Sequence, residues 1–123
     1  MEHTRQAITT LSASEHAKPN FFIVGAPKCG TTSLHEYLQR HPNVFMPFYK
    51  EPHFFGSDLI GSRFQQFRGK PKKYLRLFKD ATTESRIGES SPWYLVSKNA
   101  AQEIKSYNPD AKIIMILRNP VDM

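Results

Sequence analysis

The sequence predicts an α/β fold, a parallel sheet flanked by helices, on three observations. A short apolar run at residues 21–24 (Phe21, Phe22, Ile23, Val24) leads into a glycine-bounded loop and then a segment of helical spacing. An isoleucine-rich run at residues 112–117 follows another helical segment near the other end of the chain. Apolar strands alternating with helices imply parallel pairing with right-handed crossovers, because only a crossover can return the chain to lie parallel.

Each element has its own signal. The run 21–24 is closed by Gly25 and Pro27, as expected of a buried strand. After the loop, Thr31 or Thr32 is placed to cap a helix, with Leu34, Tyr37 and Leu38 on one face and Pro42 ending it near residues 39–41. Pro47, Pro52, Gly56 and Gly61 punctuate residues 43–62, which read as loop with short extended pieces. Pro71 suits a first helical position, so a second helix is predicted over 71–79 with Tyr74, Leu75 and Phe78 inward. A short strand over 86–89 precedes the turn Ser90-Ser91-Pro92. A helix over 97–106 follows, with Ala100, Ala101 and Ile104 on its apolar side, and breaks at Tyr107-Asn108-Pro109-Asp110. Residues 112–117, apolar after Lys112, read as a strand buried on both faces.

Length and composition narrow the function. A chain of 123 residues with 39% hydrophobic and 12% aromatic residues can build one small core. Its formal charge of +6 predicts an anionic partner, for which a phosphorylated nucleotide, a sulfated glycan, nucleic acid or a membrane surface would each serve. Cys29 is the only cysteine, so neither an intrachain disulfide nor a multi-cysteine zinc site can form. His35, His41 and His53 lack zinc-ligand spacing, and no metal site is expected. Residues 1–19 read as a flexible leader without the apolar core of a signal peptide, and no apolar run is long enough to span a bilayer. The expected location is cytoplasmic.

The chemistry concentrates at two predicted strand ends, where ligands of parallel α/β sheets bind. After the first strand, Gly25-Ala26-Pro27-Lys28-Cys29-Gly30-Thr31-Thr32 has the glycine spacing of a P-loop. Its backbone N–H groups and the following helix N-terminus suit a phosphate. A Walker A loop would carry lysine directly after the second glycine; here that position is Thr31 and the lysine lies inside the loop, at Lys28. The second strand end carries Arg118-Asn119-Pro120, where a guanidinium can hold a phosphate bidentately.

Four segments, in order, resemble the sulfotransferases that use 3′-phosphoadenosine 5′-phosphosulfate (PAPS). Residues 27–34 (Pro27-Lys28-Cys29-Gly30-Thr31-Thr32-Ser33-Leu34) are similar to the family's PKxGTTxL loop. His41-Pro42 leads to Lys50-Glu51-Pro52-His53-Phe54-Phe55, similar to the E-x-H/Q-F-F segment of glycan sulfotransferases. Gly88-Glu89-Ser90-Ser91-Pro92-Trp93-Tyr94 and residues 112–122, with their R-N-P-x-D turn, complete the match. The resemblance covers residues 20–122. It implies a P-loop-like sulfotransferase fold of which residues 20–123 are an N-terminal part, incomplete at the C-terminus.

The resemblance also assigns roles. Lys28, Cys29, Gly30, Thr31, Thr32 and Ser33 are expected to hold the 5′-phosphosulfate, with Lys28 catalytic, and Arg118 the 3′-phosphate. Sulfuryl transfer leaves negative charge on the departing phosphate, so a lysine beside it lowers the barrier. With no triphosphate in the donor, no metal is required. Glu51, which read alone is a solvated neighbour of Lys50, becomes the candidate general base for a hydroxyl or amine acceptor. His53 reads as a packed histidine beside Phe54 and Phe55, and Trp93 and Tyr94 as core residues under a turn rather than a pocket wall.

Ser33 stands where phenol and steroid sulfotransferases carry a tryptophan for adenine, so the resemblance favours the glycan-type and bacterial branch; a carbohydrate is one acceptor compatible with that branch, and the sequence does not identify the acceptor. Ser90 stands where some heparan sulfotransferases place a lysine near the transferred group. The competing readings are a P-loop nucleotide kinase or other phosphotransferase, against which the missing Walker lysine argues, and a truncated anion-binding module without turnover. No nucleic-acid partner is expected.

Overall fold

The computed structural model describes residues 18–118. The four strands β1 (Phe21–Gly25), β2 (Val44–Phe45), β3 (Arg86–Ser90) and β4 (Lys112–Met115) form one sheet in the order β2-β3-β1-β4. Every pairing is parallel, as the alternation of strands and helices predicts. The helices are α1 (Thr31–Gln39), α2 (Pro71–Leu75) and α3 (Ala100–Tyr107), with single 3-10 turns at Ser62–Phe64, Arg76–Phe78 and Pro92–Leu95.

Strand β1 runs through the middle, and its side chains alternate between two cores. Phe22 and Val24 point to one side, where Phe55, Tyr74, Phe78, Tyr94, Ala100 and Ile104 pack. Phe21 and Ile23 point to the other, against Met46 with Leu34 and Leu38 of α1. Double-sided cover explains why this strand reads as an unbroken apolar run. Fully burying each such side chain stabilises the fold by about 1.5–3 kcal/mol, so β1 anchors the loop that follows it.

The second helical segment begins at Pro71 but keeps α-helical geometry only to Leu75, then tightens into the 3-10 turn Arg76–Phe78. Tyr74 and Phe78 are buried, as expected. The helix before β4 is displaced by a few residues, to Ala100–Tyr107, and Ala101 is exposed rather than inward. Residues 43–62 contain the two-residue strand β2, paired to β3 through Val44–Arg86 and Phe45–Ile87.

Three expectations are corrected. Neither Thr31 nor Thr32 caps α1: the N-cap is Gly30, left-handed at φ 96°, with no side-chain cap bond. Tyr37 is 69% exposed, and His35 takes the inward position instead. Its partners are polar, so the apolar pattern could not reveal it. Strand β4 is not buried on both faces: Ile113 and Met115 are 47% and 58% exposed, and Leu117 beyond it 70%. Among the described residues β4 is one edge of the sheet, with β1 as its neighbour. Only Ile114 and the following Ile116 pack against a core.

Residues 1–17 of the predicted leader, and Asn119 with the rest of the R-N-P-x-D turn, lie outside the described residues. Lys18 sits 4.9 Å over the Tyr107 ring and Pro19 is buried. No helix among the described residues is long and apolar enough to cross a membrane.

Candidate active site

The parallel strands all present their carboxyl ends to one edge of the sheet, where Lys28, Gly30, Thr31, Thr32 and Glu51 line one cavity and Cys29, Ser33 and Arg118 do not. A cavity of about 290 Å³ is lined by Pro27, Lys28, Gly30, Thr31, Thr32, Glu51, Arg63, Pro92 and Trp93. The loop and the carboxyl group of Glu51, well separated in sequence, therefore line one space.

The loop is shaped to receive an anion. Lys28 adopts a left-handed backbone at φ 61°, and Gly30 turns the chain at φ 96° into α1. A side chain at position 30 would meet nothing within 4 Å; glycine is needed there for backbone conformation, not for space. The first backbone bond of the helix runs from Leu34 N–H to the Gly30 carbonyl at 3.1 Å. The N–H groups of Thr31, Thr32 and Ser33 precede it and point out of the helix end, where its dipole favours negative charge. Thr31 is buried, while Lys28, Thr32 and Ser33 are exposed. Cys29 is buried, with its N–H bonded to the Ala26 carbonyl at 3.2 Å. A phosphate or sulfate group fits this donor set.

Glu51 enters the cavity from a strained turn. Glu51 and His53 both have left-handed backbones, at φ 59° and 49°, a conformation that persists in non-glycine residues only when the surroundings over-determine it. The Glu51 N–H bonds the Ser90 carbonyl at the end of β3, at 2.9 Å. The His53 ring is buried between Phe64 and Tyr94, with centroids at 5.0 and 5.7 Å. It donates from Nδ1 to the Glu51 carbonyl at 3.1 Å and accepts at Nε2 from the Trp93 N–H at 3.3 Å. Those two bonds fix the neutral tautomer. Burial lowers its pKa from 6.5 to about 4. Further along, Arg68 bonds the Gly56 and Leu59 carbonyls at 2.6 and 2.7 Å, and Glu103 of α3 accepts from the N–H groups of Gly56 and Ser57.

Lys50 does not pair with Glu51; its ammonium lies 2.6 Å from Glu36 on α1. Ser90 cannot stand in for a cation near the transferred group, because its hydroxyl is buried 2.6 Å from His35 Nδ1. His35 in turn donates from Nε2 to the Pro47 carbonyl at 2.8 Å, and burial lowers its pKa. Ser91 and Glu89 form a second buried group: Glu89 accepts from the hydroxyls of Ser91, Tyr74 and Tyr94 at 2.6, 2.7 and 2.7 Å. Burial pushes the Glu89 carboxyl up, against the pull of those three hydroxyls.

The two aromatic neighbours expected in the core part company. Tyr94 is buried there, whereas Trp93 is half-buried and lines the cavity. Arg63, absent from the predicted site, sits 5.8 Å over the Trp93 ring and lines the same space. The segment carrying Arg63 has no periodicity or motif, so no sequence signal marks it.

The predicted second strand end reaches the same edge. Ile116 N–H bonds the Gly25 carbonyl at 2.7 Å, and Ala26 N–H bonds the Ile116 carbonyl at 2.8 Å. Arg118, exposed, follows two residues later. Among the described residues no group of three or more His, Cys, Asp or Glu side chains could hold a metal ion.

The sulfotransferase domain family model matches residues 18–123. The chain belongs to that family. It is 33% identical over 104 residues to the membrane-associated sulfotransferase kil1 of Dictyostelium discoideum, a match covering 85% of this chain and 21% of that protein. It is 34% identical over 104 residues to human heparan sulfate glucosamine 3-O-sulfotransferase 6, covering 84% of this chain and 28% of the relative. A sulfotransferase crystal structure from Alicyclobacillus acidocaldarius matches with TM-score 0.78 and 42% identity, over 85% of this chain and 46% of that one. The chain thus spans under a third of these two curated relatives and less than half of the solved one. The P-loop-like sheet is the sulfotransferase fold.

Proposed function

We propose that the protein transfers a sulfuryl group from PAPS to a hydroxyl or amine acceptor, with a glycan as the acceptor class. What supports this most is one juxtaposition: an acceptor-only carboxylate, Glu51, and a lysine-bearing anion loop line a single cavity. The fit to the donor rests on the loop, whose first-turn N–H groups and lysine suit a phosphosulfate. Family membership supports the donor class, and the names of the heparan sulfate and carbohydrate relatives support the acceptor class.

PAPS supplies the activated sulfuryl group, and its departure leaves new charge on the 5′-phosphate oxygen. Lys28 and the N–H groups of Thr31 and Thr32 face that charge and stabilise it more as it grows, which is what lowers a barrier. Glu51 takes the proton that the acceptor hydroxyl or amine loses as its oxygen or nitrogen bonds sulfur. Trp93 and Arg63 border the space left for the acceptor. Arg118 is assigned to the 3′-phosphate.

The test measures transfer of radiolabelled sulfate from PAPS to a heparan-type glycan, with ATP as a competing donor. Glu51→Gln should leave the affinity for 3′-phosphoadenosine 5′-phosphate nearly unchanged and lower turnover by about 10²-fold or more. Preference for ATP, or normal turnover in Glu51→Gln, overturns the reading.

A further inference from the structure

Glu89 lies in the central region of the sheet, beside Phe22 of β1, and none of its surface reaches solvent. It lines no part of the cavity, yet a continuous chain of hydrogen bonds joins it to the residue that does. Ser91 donates its hydroxyl proton to Glu89 Oε1 at 2.6 Å, and the same Ser91 oxygen accepts the His53 backbone N–H at 3.0 Å. His53 then donates from Nδ1 to the Glu51 carbonyl at 3.1 Å. We propose that Glu89 is a positioning residue, which through Ser91 and His53 fixes the turn that presents Glu51 to the acceptor. The proposal rests on the reading of Glu51 as general base.

The chemistry explains why a carboxylate stands there. An ionised carboxylate only accepts, so it draws the protons of all the hydroxyls around it toward itself. The Tyr74 and Tyr94 hydroxyls both point at Oε2, and Ser91 at Oε1. With their protons committed, the oxygens of Ser91 and Tyr94 turn lone pairs outward, to the N–H groups of His53 and Phe55 at 3.0 and 3.3 Å. His53 belongs to the left-handed turn that includes Glu51, and Phe55 follows it. Glu89 therefore orients the hydroxyls at the buried end of the chain, and the Ser91 oxygen is left free to accept the His53 N–H.

A carboxamide of the same size would reverse one of these directions, because its NH₂ donates. One hydroxyl would have to turn away, and the His53 N–H would lose its acceptor if that hydroxyl were Ser91. A displacement of about 1 Å in a catalytic group can cost about 10²-fold in rate. The expectation is accordingly a loss in turnover without a loss in donor binding. A merely structural carboxylate would lower thermal stability alone.

The experiment compares Glu89→Gln, Ser91→Ala and Tyr74→Phe with the wild type in kcat, donor KM, melting temperature and titration with 3′-phosphoadenosine 5′-phosphate. Glu89→Gln and Ser91→Ala should each lower kcat by about tenfold or more at unchanged nucleotide affinity. Combined, they should lose little more than either alone, because both cut one chain. Tyr74→Phe, which removes a donor from Oε2 only, should lower the melting temperature and keep kcat within about twofold. If Glu89→Gln does not fold, Ser91→Ala carries the comparison. Normal kcat in folded Glu89→Gln or Ser91→Ala, with Glu51→Gln still impaired, overturns the positioning role and leaves Glu51 as base. Normal kcat in Glu51→Gln overturns both.

Discussion

Replacing His53 by glutamine should flatten the acid side of the protein's stability curve. The ring is 1% exposed and its pKa is lowered from 6.5 to about 4, chiefly by burial, with the charges of Arg63 and Arg68 acting in the same direction. Only its bond to the Glu51 carbonyl opposes this. The folded ring therefore stays neutral down to about pH 4, whereas the unfolded chain takes a proton below about 6.5. In that window the unfolded state binds more protons, so stability is full above pH 6.5 and falls as pH drops toward 4. At about 1.4 kcal/mol for each pH unit, the drop from 6.5 to about 4 amounts to about 3 kcal/mol. His35, also lowered by burial, acts in the same direction. Glu89, raised by burial, acts in the opposite one, since its folded form keeps a proton to higher pH. The useful quantity is thus the difference between wild type and variant. Urea unfolding at intervals from pH 7.5 to 4 measures it. Glutamine offers one donor and one acceptor in place of the ring and does not titrate, so the variant should lose about 3 kcal/mol less across the window. Parallel curves would refute the neutral, buried assignment of His53, and with it the tautomer that holds Glu51.

Two further outcomes follow from the loop. Lys28→Ala should weaken PAPS binding and slow transfer together, since on the proposed assignment the ammonium would meet both the bound anion and the leaving oxygen; activity in the wild type should survive a chelator, and a strict Mg²⁺ requirement in turnover assays would count against the donor assignment. Gly25→Ala should cost about 2 kcal/mol or more in unfolding measurements, because its Cβ would lie 2.6 Å from the Pro92 carbonyl oxygen and 2.8 Å from Leu95 Cβ at a φ of 149°; a melting temperature equal to wild type would show that the turn at Pro92 yields easily.

The sequence was most informative where one physical rule acts alone. Strand β1 is covered on both faces, so its apolar run needs no further signal, and the anion loop declares itself through two glycines and the helix that follows. Reading failed where a partner distant in sequence decides the outcome. His35 is buried because Ser90 and the Pro47 carbonyl satisfy its ring, and helical spacing of apolar residues pointed to Tyr37 instead. The isoleucines of β4 have the composition of a doubly covered strand, but cover depends on neighbours, and Ile113 is 47% exposed. Glu89 stood in a recognised motif without a role, since the tyrosine hydroxyls that complete its surroundings come from Tyr74 and Tyr94 on separate elements. Arg63 joins Glu51 only through folding of a loop without period.

The site's coherence lies in its main chain. Ser91 N–H bonds the Ile23 carbonyl at 3.0 Å, Glu51 N–H bonds the Ser90 carbonyl at 2.9 Å, and Ile116 and Gly25 to Ala26 exchange the two bonds that join β4 to the loop. The register between β1 and β4 shifts between Ile23 and Gly25, so the ladder leaves its regular spacing where the loop begins. Because these contacts use backbone groups, substituting Lys28, Glu51 or Arg118 removes a side chain without removing these joints. The side-chain contacts Ser91–His53 and His53–Glu51 are the exception, made by the residues that set the left-handed turn. On the proposed assignment, variation in the cavity's walls, at Arg63 and Trp93, would accordingly change which acceptor fits while the loop at Lys28 and the carboxyl group of Glu51 keep their relative places.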